Sequence, residues 1–202
     1  MALANYNDLV SSIGAWLHRT DLNSVIPDFI GLAESRMNSD LDIRQTDSTT
    51  LATTDAGYNT VALPYDFKEI RSVSMLSSGL TIVLDPMPIG LMTQRWGAST
   101  SSVPRSYAVR GNNLVLAPTP DGNYDLIIDY FANISSLGVL NPTNEVLSNY
   151  PDMYLHACLI YAGQYVRDND LVGQMESLYA ADIARVNAQN WGVSSVMSIK
   201  QG

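Results

Sequence analysis

Pro151-Asp152-Met153-Tyr154-Leu155-His156-Ala157-Cys158-Leu159-Ile160-Tyr161-Ala162-Gly163-Gln164-Tyr165-Val166 has the pattern of a single helix. Proline stands in the first helical turn, where no backbone hydrogen bond is lost, and Asp152 beside it faces the positive end of the helix dipole. Apolar residues cover almost the whole circumference. Such a helix has no solvent face to spare, so other helices or neighbouring subunits must cover it. Asp168-Asn169-Asp170 then turns the chain and caps a second helix, along which Leu171, Met175, Leu178, Tyr179, Ile183 and Val186 recur at helical spacing. Tyr150 to Gln189 therefore reads as a helical hairpin at the centre of the fold.

At the N-terminal end, Tyr6, Leu9, Val10, Ile13, Trp16 and Leu17 predict a first helix, with Asn5 as its cap and its end near His18-Arg19-Thr20. Ser24 is the expected cap of a second helix, with Pro27 in its first turn. Its buried stripe is Ile26, Phe29, Ile30, Ala33, Met37 and Leu41, with Arg19, Asp28, Glu34 and Arg36 on or near the edges. From about Ile43 the apolar period becomes alternating. Ala56-Gly57, Ser77-Ser78-Gly79, Gly111-Asn112 and Asp121-Gly122 read as hairpin turns. They separate strands at 49–53, 58–63, 71–76, 80–84, 105–110, 113–117 and 124–131; in the last, Tyr124, Leu126, Ile128 and Tyr130 share one face. Pro86 to Trp96 reads as a short helix or loop across the sheet, and Gly97 to Ser102 as a small, polar, mobile stretch.

The expected architecture is α+β. A four-helix bundle is formed by an N-terminal helix pair (1–42) and a C-terminal pair (138–191), because the N-terminal pair is too small to bury its own stripes. An antiparallel β-rich domain (43–137) is inserted between the pairs, and a C-terminal tail (192–202) follows. Trp16, Phe29, Tyr154, Cys158, Tyr161 and Tyr165 are the expected bundle core or protomer interface. Val193, Val196, Met197 and Ile199 of the tail have no partner within the chain, and Trp191, at the last helix end, is an anchor of the kind that dominates interfaces.

A chain of 202 residues can bury roughly 70% of its unfolded surface and needs no covalent staples. Its single cysteine excludes an internal disulfide, and neither a signal peptide nor a run of about 18 apolar residues is present, so the expectation is a protein neither exported nor membrane-spanning. The formal charge of −9 is spread over all three thirds of the sequence and opposes tight binding to nucleic acid or anionic membrane.

Chemical constellations reduce to structural roles. His156 and Cys158 suggest a nucleophile and base, but helical positions two apart point about 200° from one another. His18 near Asp21 is an ordinary helix-end histidine. Asp168, Asp170 and Glu176 fail the calcium-loop pattern, since Val172 and Tyr179 fall on ligand positions. Asp40 and Asp42 beside Arg44 are solvated charge. Arg19, Arg36 and Arg71 are available for ion pairs within the fold or between protomers. The sequence holds no phosphate loop, paired-cysteine zinc motif, HExxH or GxSxG, and neither metal nor cofactor is expected.

Four stretches carry a family resemblance: Trp16-Leu17-His18-Arg19 through Asp21-Leu22, with Ile26-Pro27-Asp28-Phe29-Ile30 and Leu32-Ala33-Glu34-Ser35-Arg36-Met37-Asn38; Leu63-Pro64-Tyr65-Asp66-Phe67 entering a strand at Ser72-Val73; the hairpin from Tyr107 to Pro118; and Asn144-Glu145-Val146-Leu147 followed by Tyr150-Pro151-Asp152-Met153-Tyr154-Leu155. In that order the chain resembles the head–tail adaptors of short-tailed and related phages, of the tail tubular protein A type. The resemblance implies a non-enzymatic virion protein, assembled in the host cytoplasm and placed at the head–tail interface. It further implies a homo-oligomeric ring, commonly a dodecamer, docked below the portal protein through the region of Val193 to Ile199. The ring would extend the DNA channel and present a surface to the next tail or nozzle protein. DNA would pass without specific binding, and no membrane is involved.

Two other functions fit the composition. One is a soluble oligomeric binding module whose β-domain recognises a ligand or saccharide. The other is a hydrolase built on loop carboxylates at Asp66, Asp85 and Asp121, whose spacing specifies no catalytic roles.

Overall fold

In the computed structural model, which describes residues 3–19, 21–41, 47–77, 79–97 and 100–190, the helical and alternating segments separate into two units, residues 1–45 with 134–202, and residues 46–133. In chain order the elements are α1 (Tyr6–Trp16), α2 (Ile26–Asp40), β1 (Asp47–Thr53), β2 (Thr60–Ala62), β3 (Phe67–Ser77), β4 (Leu80–Val83), β5 (Asp85–Pro86), α3 (Ile89–Trp96), β6 (Ser106–Arg110), β7 (Asn113–Ala117), β8 (Asp125–Ala132), α4 (Glu145–Asn149), α5 (Pro151–Val166) and α6 (Asn169–Asn190).

The helix ends follow capping chemistry. Asn5 Oδ1 accepts from the Asp8 amide at 3.0 Å and starts α1. Asn144 does the same for α4 through the Leu147 amide at 2.8 Å. Arg167 ends α5 with φ 61°, and Asp168 Oδ1 accepts from the Leu171 amide at 3.0 Å to open α6. Ser24 is not the cap of α2: Val25 holds that position without a side-chain bond, and Pro27 in the first turn leaves one fewer amide to satisfy.

The helical unit is not a four-helix bundle of N- and C-terminal pairs. Helix α5 is its axis, and α1, α2, α4 and α6 all pack on it. Met153, Tyr154, Leu155, Ala157, Cys158, Leu159, Ile160 and Ala162 are buried there, together with Leu9 and Ile13 of α1, the α2 stripe, Val146 and Leu147 of α4, and Met175, Tyr179 and Val186 of α6. The physical reason lies in α5 itself. A bundle helix turns one apolar stripe inward, whereas a helix apolar on nearly every side is stable only when wrapped. The short α4 and the segment before it supply part of that wrap, so five helices of the described chain share this core.

The second unit has two four-stranded sheets, ordered β1-β8-β3-β4 and β2-β7-β6-β5. Val73 and Met75 of β3 and Leu126, Ile128 and Tyr130 of β8 share a core with Tyr107 of β6 and Leu114 and Leu116 of β7, so the sheets face each other across it. The turns at Gly79 (φ 79°) and Gly111 (φ 58°), a left-handed region that suits glycine, close the β3–β4 and β6–β7 hairpins. Ala56-Gly57 and Asp121-Gly122 make no hairpins. Because β1 pairs with β8 and β2 with β7, these turns carry the chain from one sheet to the other. Within the 86–96 segment, Ile89–Trp96 forms helix α3, which buries Met92 and packs on β7.

Candidate interaction surfaces

The Glu34 side chain, expected at the edge of α2, is buried. Its Oε1 accepts from the Tyr154 hydroxyl at 2.6 Å and from the Leu137 amide at 2.7 Å. Asn144 Nδ2 donates to the Tyr154 hydroxyl at 3.2 Å and to the Ser135 carbonyl at 2.8 Å. Burial, followed by the neighbouring Glu34 carboxyl, pushes the Tyr154 phenol well above its ordinary range. The shift favours the protonated hydroxyl that donates to Glu34. This network joins α2, α5 and α4 to the segment between Ile134 and Asn144.

That segment is tied at several further points. The Ile134 amide donates to Asn38 Oδ1 at 2.7 Å, the Gly138 amide to the Asn141 carbonyl at 2.9 Å, Asn141 Nδ2 to the Ser136 carbonyl at 2.8 Å, and the Tyr6 amide to the Pro142 carbonyl at 2.7 Å. From this anchored loop Val139 and Leu140 project into solvent, with relative exposures of 83% and 101%.

Further large apolar side chains of the helical unit are exposed on α1, α2 and α5. Tyr165, near the end of α5, lies 5.4 Å from the Phe29 ring, centroid to centroid, and is 57% exposed. Leu32, one turn beyond Phe29, and Trp16, the last residue of α1, are about half exposed. Arg19 in the α1–α2 connection pairs with Asp21 at 2.6 Å, and this bond holds the exposed Asp21 carboxyl down at about 2.

Ion pairs link α6 to its neighbours. Arg36 of α2 grips Glu176 with two bonds of 2.8 and 2.7 Å and lies 4.6 Å over the Tyr179 ring, while the Tyr179 hydroxyl donates to Asp40 at 3.0 Å. His156 of α5 meets Asp182 at 2.8 Å, and Arg185 bridges Asp152 and Asp182 at 2.7 and 3.0 Å. Arg71 pairs with Asp47 on the β unit.

Against this geometry the chemical constellations resolve into structural parts. Cys158 is fully buried and its thiol is pushed upward by that burial, while His156 is engaged with Asp182. Asp21 bonds to Arg19 rather than to His18. Asp66 accepts from the Tyr130 hydroxyl, Asp121 from the Tyr124 hydroxyl, and Asp85 lies on β5, so each carboxylate has its own place in the fold. Among the described residues no group of His, Cys, Asp and Glu is arranged to hold a metal ion, and no helix is long and apolar enough to cross a membrane. Thr100 to Ser102, expected to be mobile, are bonded to Thr119 through the Thr119 and Ser102 amides at 3.0 and 2.9 Å.

Of the residues expected at the core or interface, Phe29, Tyr154 and Cys158 are buried, Tyr161 is half-buried, and Trp16 and Tyr165 are exposed. Trp191, Val193, Val196, Met197 and Ile199 lie outside the described residues, as do Asp42 and Arg44. Sequence reasoning missed the Val139–Leu140 tip and the role of Glu34. The adjacent Gly138 and Pro142 marked a turn, but composition does not show that its two aliphatic residues point outward. No curated protein matches the chain. The family model described as SU10 adaptor protein matches residues 4–198, so the chain belongs to that phage head–tail adaptor family and is a phage structural adaptor.

Proposed function

We propose that this adaptor assembles as a homo-oligomeric ring, a dodecamer, below the portal protein, extends the DNA channel, and offers the attachment surface for the next tail component. The observation that carries the reading is the family match over residues 4–198. The helical unit supports it: its polar network and core are satisfied internally, yet it leaves Trp16, Leu32, Tyr165, Val139 and Leu140 facing solvent. Large exposed apolar groups at several places on one unit suit a protein covered by neighbours.

In this reading Trp191, Val193, Val196, Met197 and Ile199 dock onto the portal, and the ring serves without cofactor or catalytic step. The channel-facing surface is net negative, in keeping with the −9 charge of each copy. Such a wall adds no phosphate-neutralising contacts, so DNA passes during packaging and ejection without being held. The testing experiment is electron microscopy of the purified protein mixed with the portal of the same phage. A closed ring stacked coaxially on the portal is the expected result; a chain that stays monomeric with its portal and tail partners present overturns the reading.

A further inference from the structure

Strands β6 and β7 turn one face of their sheet away from the core. Side chains alternate along a strand, so Arg110, Val115 and Ala117 lie on the face opposite the core residues Leu114 and Leu116. Helix α3 packs on β7, and a cavity of about 150 Å³ lies between them, with Met92, Val115 and Ala117 as an apolar wall. Asn59, Thr93, Thr119 and Arg110 add polar lining, and Arg110 is the only charge among the described residues that line the cavity. Arg19, Arg36, Arg71 and Arg185 each pair with a carboxylate. Arg110 pairs with none among the described residues, in a chain that carries 20 acidic residues against 11 basic ones. The side chains of Asn59 and Thr119 likewise make no hydrogen bond there, so their donors are left for a ligand.

We propose that this cavity is a socket for one glutamate side chain, carried by a segment of a different protein. Size selects a single side chain. A cavity of about 150 Å³ holds a group as large as a benzene ring, whereas sites for free small molecules measure about 300–1,000 Å³. The two methylenes of glutamate lie against Met92, Val115 and Ala117, and Arg110 and Asn59 donate to the carboxylate at their end. Charge selects a carboxylate over the DNA backbone, because one cation on a chain of −9 does not offset the repulsion of a polyanion. A bare phosphate would leave the apolar wall uncovered. A second copy is a poor source of the side chain: of the four glutamates in the sequence, Glu34 is buried and Glu176 is held by Arg36. The socket lies wholly within residues 46–133 and does not depend on ring formation.

The test follows the methyl signals of Met92 and Ala117 by NMR in the isotope-labelled full chain, titrated with N-acetylglutamate N-methylamide. The glutamine analogue and inorganic phosphate serve as comparison probes. Both methyl signals should move to saturation with the glutamate probe, the glutamine analogue should bind about tenfold more weakly or worse, and phosphate should leave them in place. Arg110→Gln removes the cation and Asn59→Asp puts a carboxylate into the wall itself, so each should lose the response. Both side chains are exposed, and the thermal midpoints should match that of wild type. No movement with the glutamate probe, equal titration by the glutamine analogue or by phosphate, or an unchanged response in Arg110→Gln overturns the socket. The comparison of probes uses the wild-type chain, so it decides the matter even if a variant fails to fold. Movement of the same signals as the protein's own concentration is raised, absent in Arg110→Gln, would make a second copy the occupant and overturn the assignment to a different protein. Failure of the chain to form a ring on the portal leaves this result standing.

Discussion

The Tyr154 hydroxyl donates to Glu34 Oε1 at 2.6 Å, with both side chains buried at the meeting point of α2, α5 and the loop ahead of α4. One phenol thus connects an acidic group on α2 to Asn144, which in turn caps α4. The bond spans 120 positions of the sequence.

Tyr154→Phe removes the hydroxyl but little volume, leaving a buried carboxylate oxygen and a buried amide each short of a partner. The expected loss is about 1–3 kcal/mol, read from the midpoint of urea unfolding. An unchanged midpoint would show that the network contributes nothing net.

Glycines 163 and 173 should respond in opposite directions. A Cβ on Gly163 would lie 2.9 Å from Val172 Cγ2 and 3.4 Å from Leu171 Cδ2, at the first turn of α6; a Cβ on Gly173 meets nothing within 4 Å. Gly163→Ala is expected to cost about 1–3 kcal/mol through overpacking. Gly173→Ala should gain up to about 1 kcal/mol from helix propensity. Thermal unfolding of the pair checks both signs.

The Arg36 guanidinium holds the Glu176 carboxyl below its ordinary 4.5 through their paired hydrogen bonds. A carboxyl with a depressed folded-state value contributes stability that is fully present above the unfolded value and lost as pH falls through the folded one. Glu176→Gln should therefore flatten the acid limb of the stability profile below about pH 4.5. Its effect at neutral pH should stay below about 1 kcal/mol, because the two side chains are 29% and 39% exposed. Equal acid limbs in the two proteins would remove this pair as a source of acid sensitivity.

The buried Cys158 should resist thiol reagents in the native protein and react only after unfolding. Labelling by iodoacetamide with and without denaturant measures this directly. Rapid native labelling would mean that α5 is not wrapped as described.

Where local pattern and tertiary demand coincided, the sequence was readable. The alternation of Leu126, Ile128 and Tyr130 marked the inner face of β8, and the apolar circumference of α5 marked its burial. Pairing was not readable in the same way: Ala56-Gly57 has hairpin chemistry, but turn residues do not record which strand comes next in the sheet. Glu34 misled because a carboxylate in a helix is normally solvated, and only a tyrosine 120 positions away and a loop amide make its burial tolerable. The bundle expectation failed for a related reason. Helix α4 is five residues long, too short to give a clear period, yet it completes the covering of α5.

Whether copies of this adaptor close into a ring on the portal is decided by electron microscopy of the purified protein mixed with that portal. A coaxial closed ring whose channel wall is net negative is the expected result. Monomers alongside unoccupied portals, or a ring with a basic lumen, would contradict it.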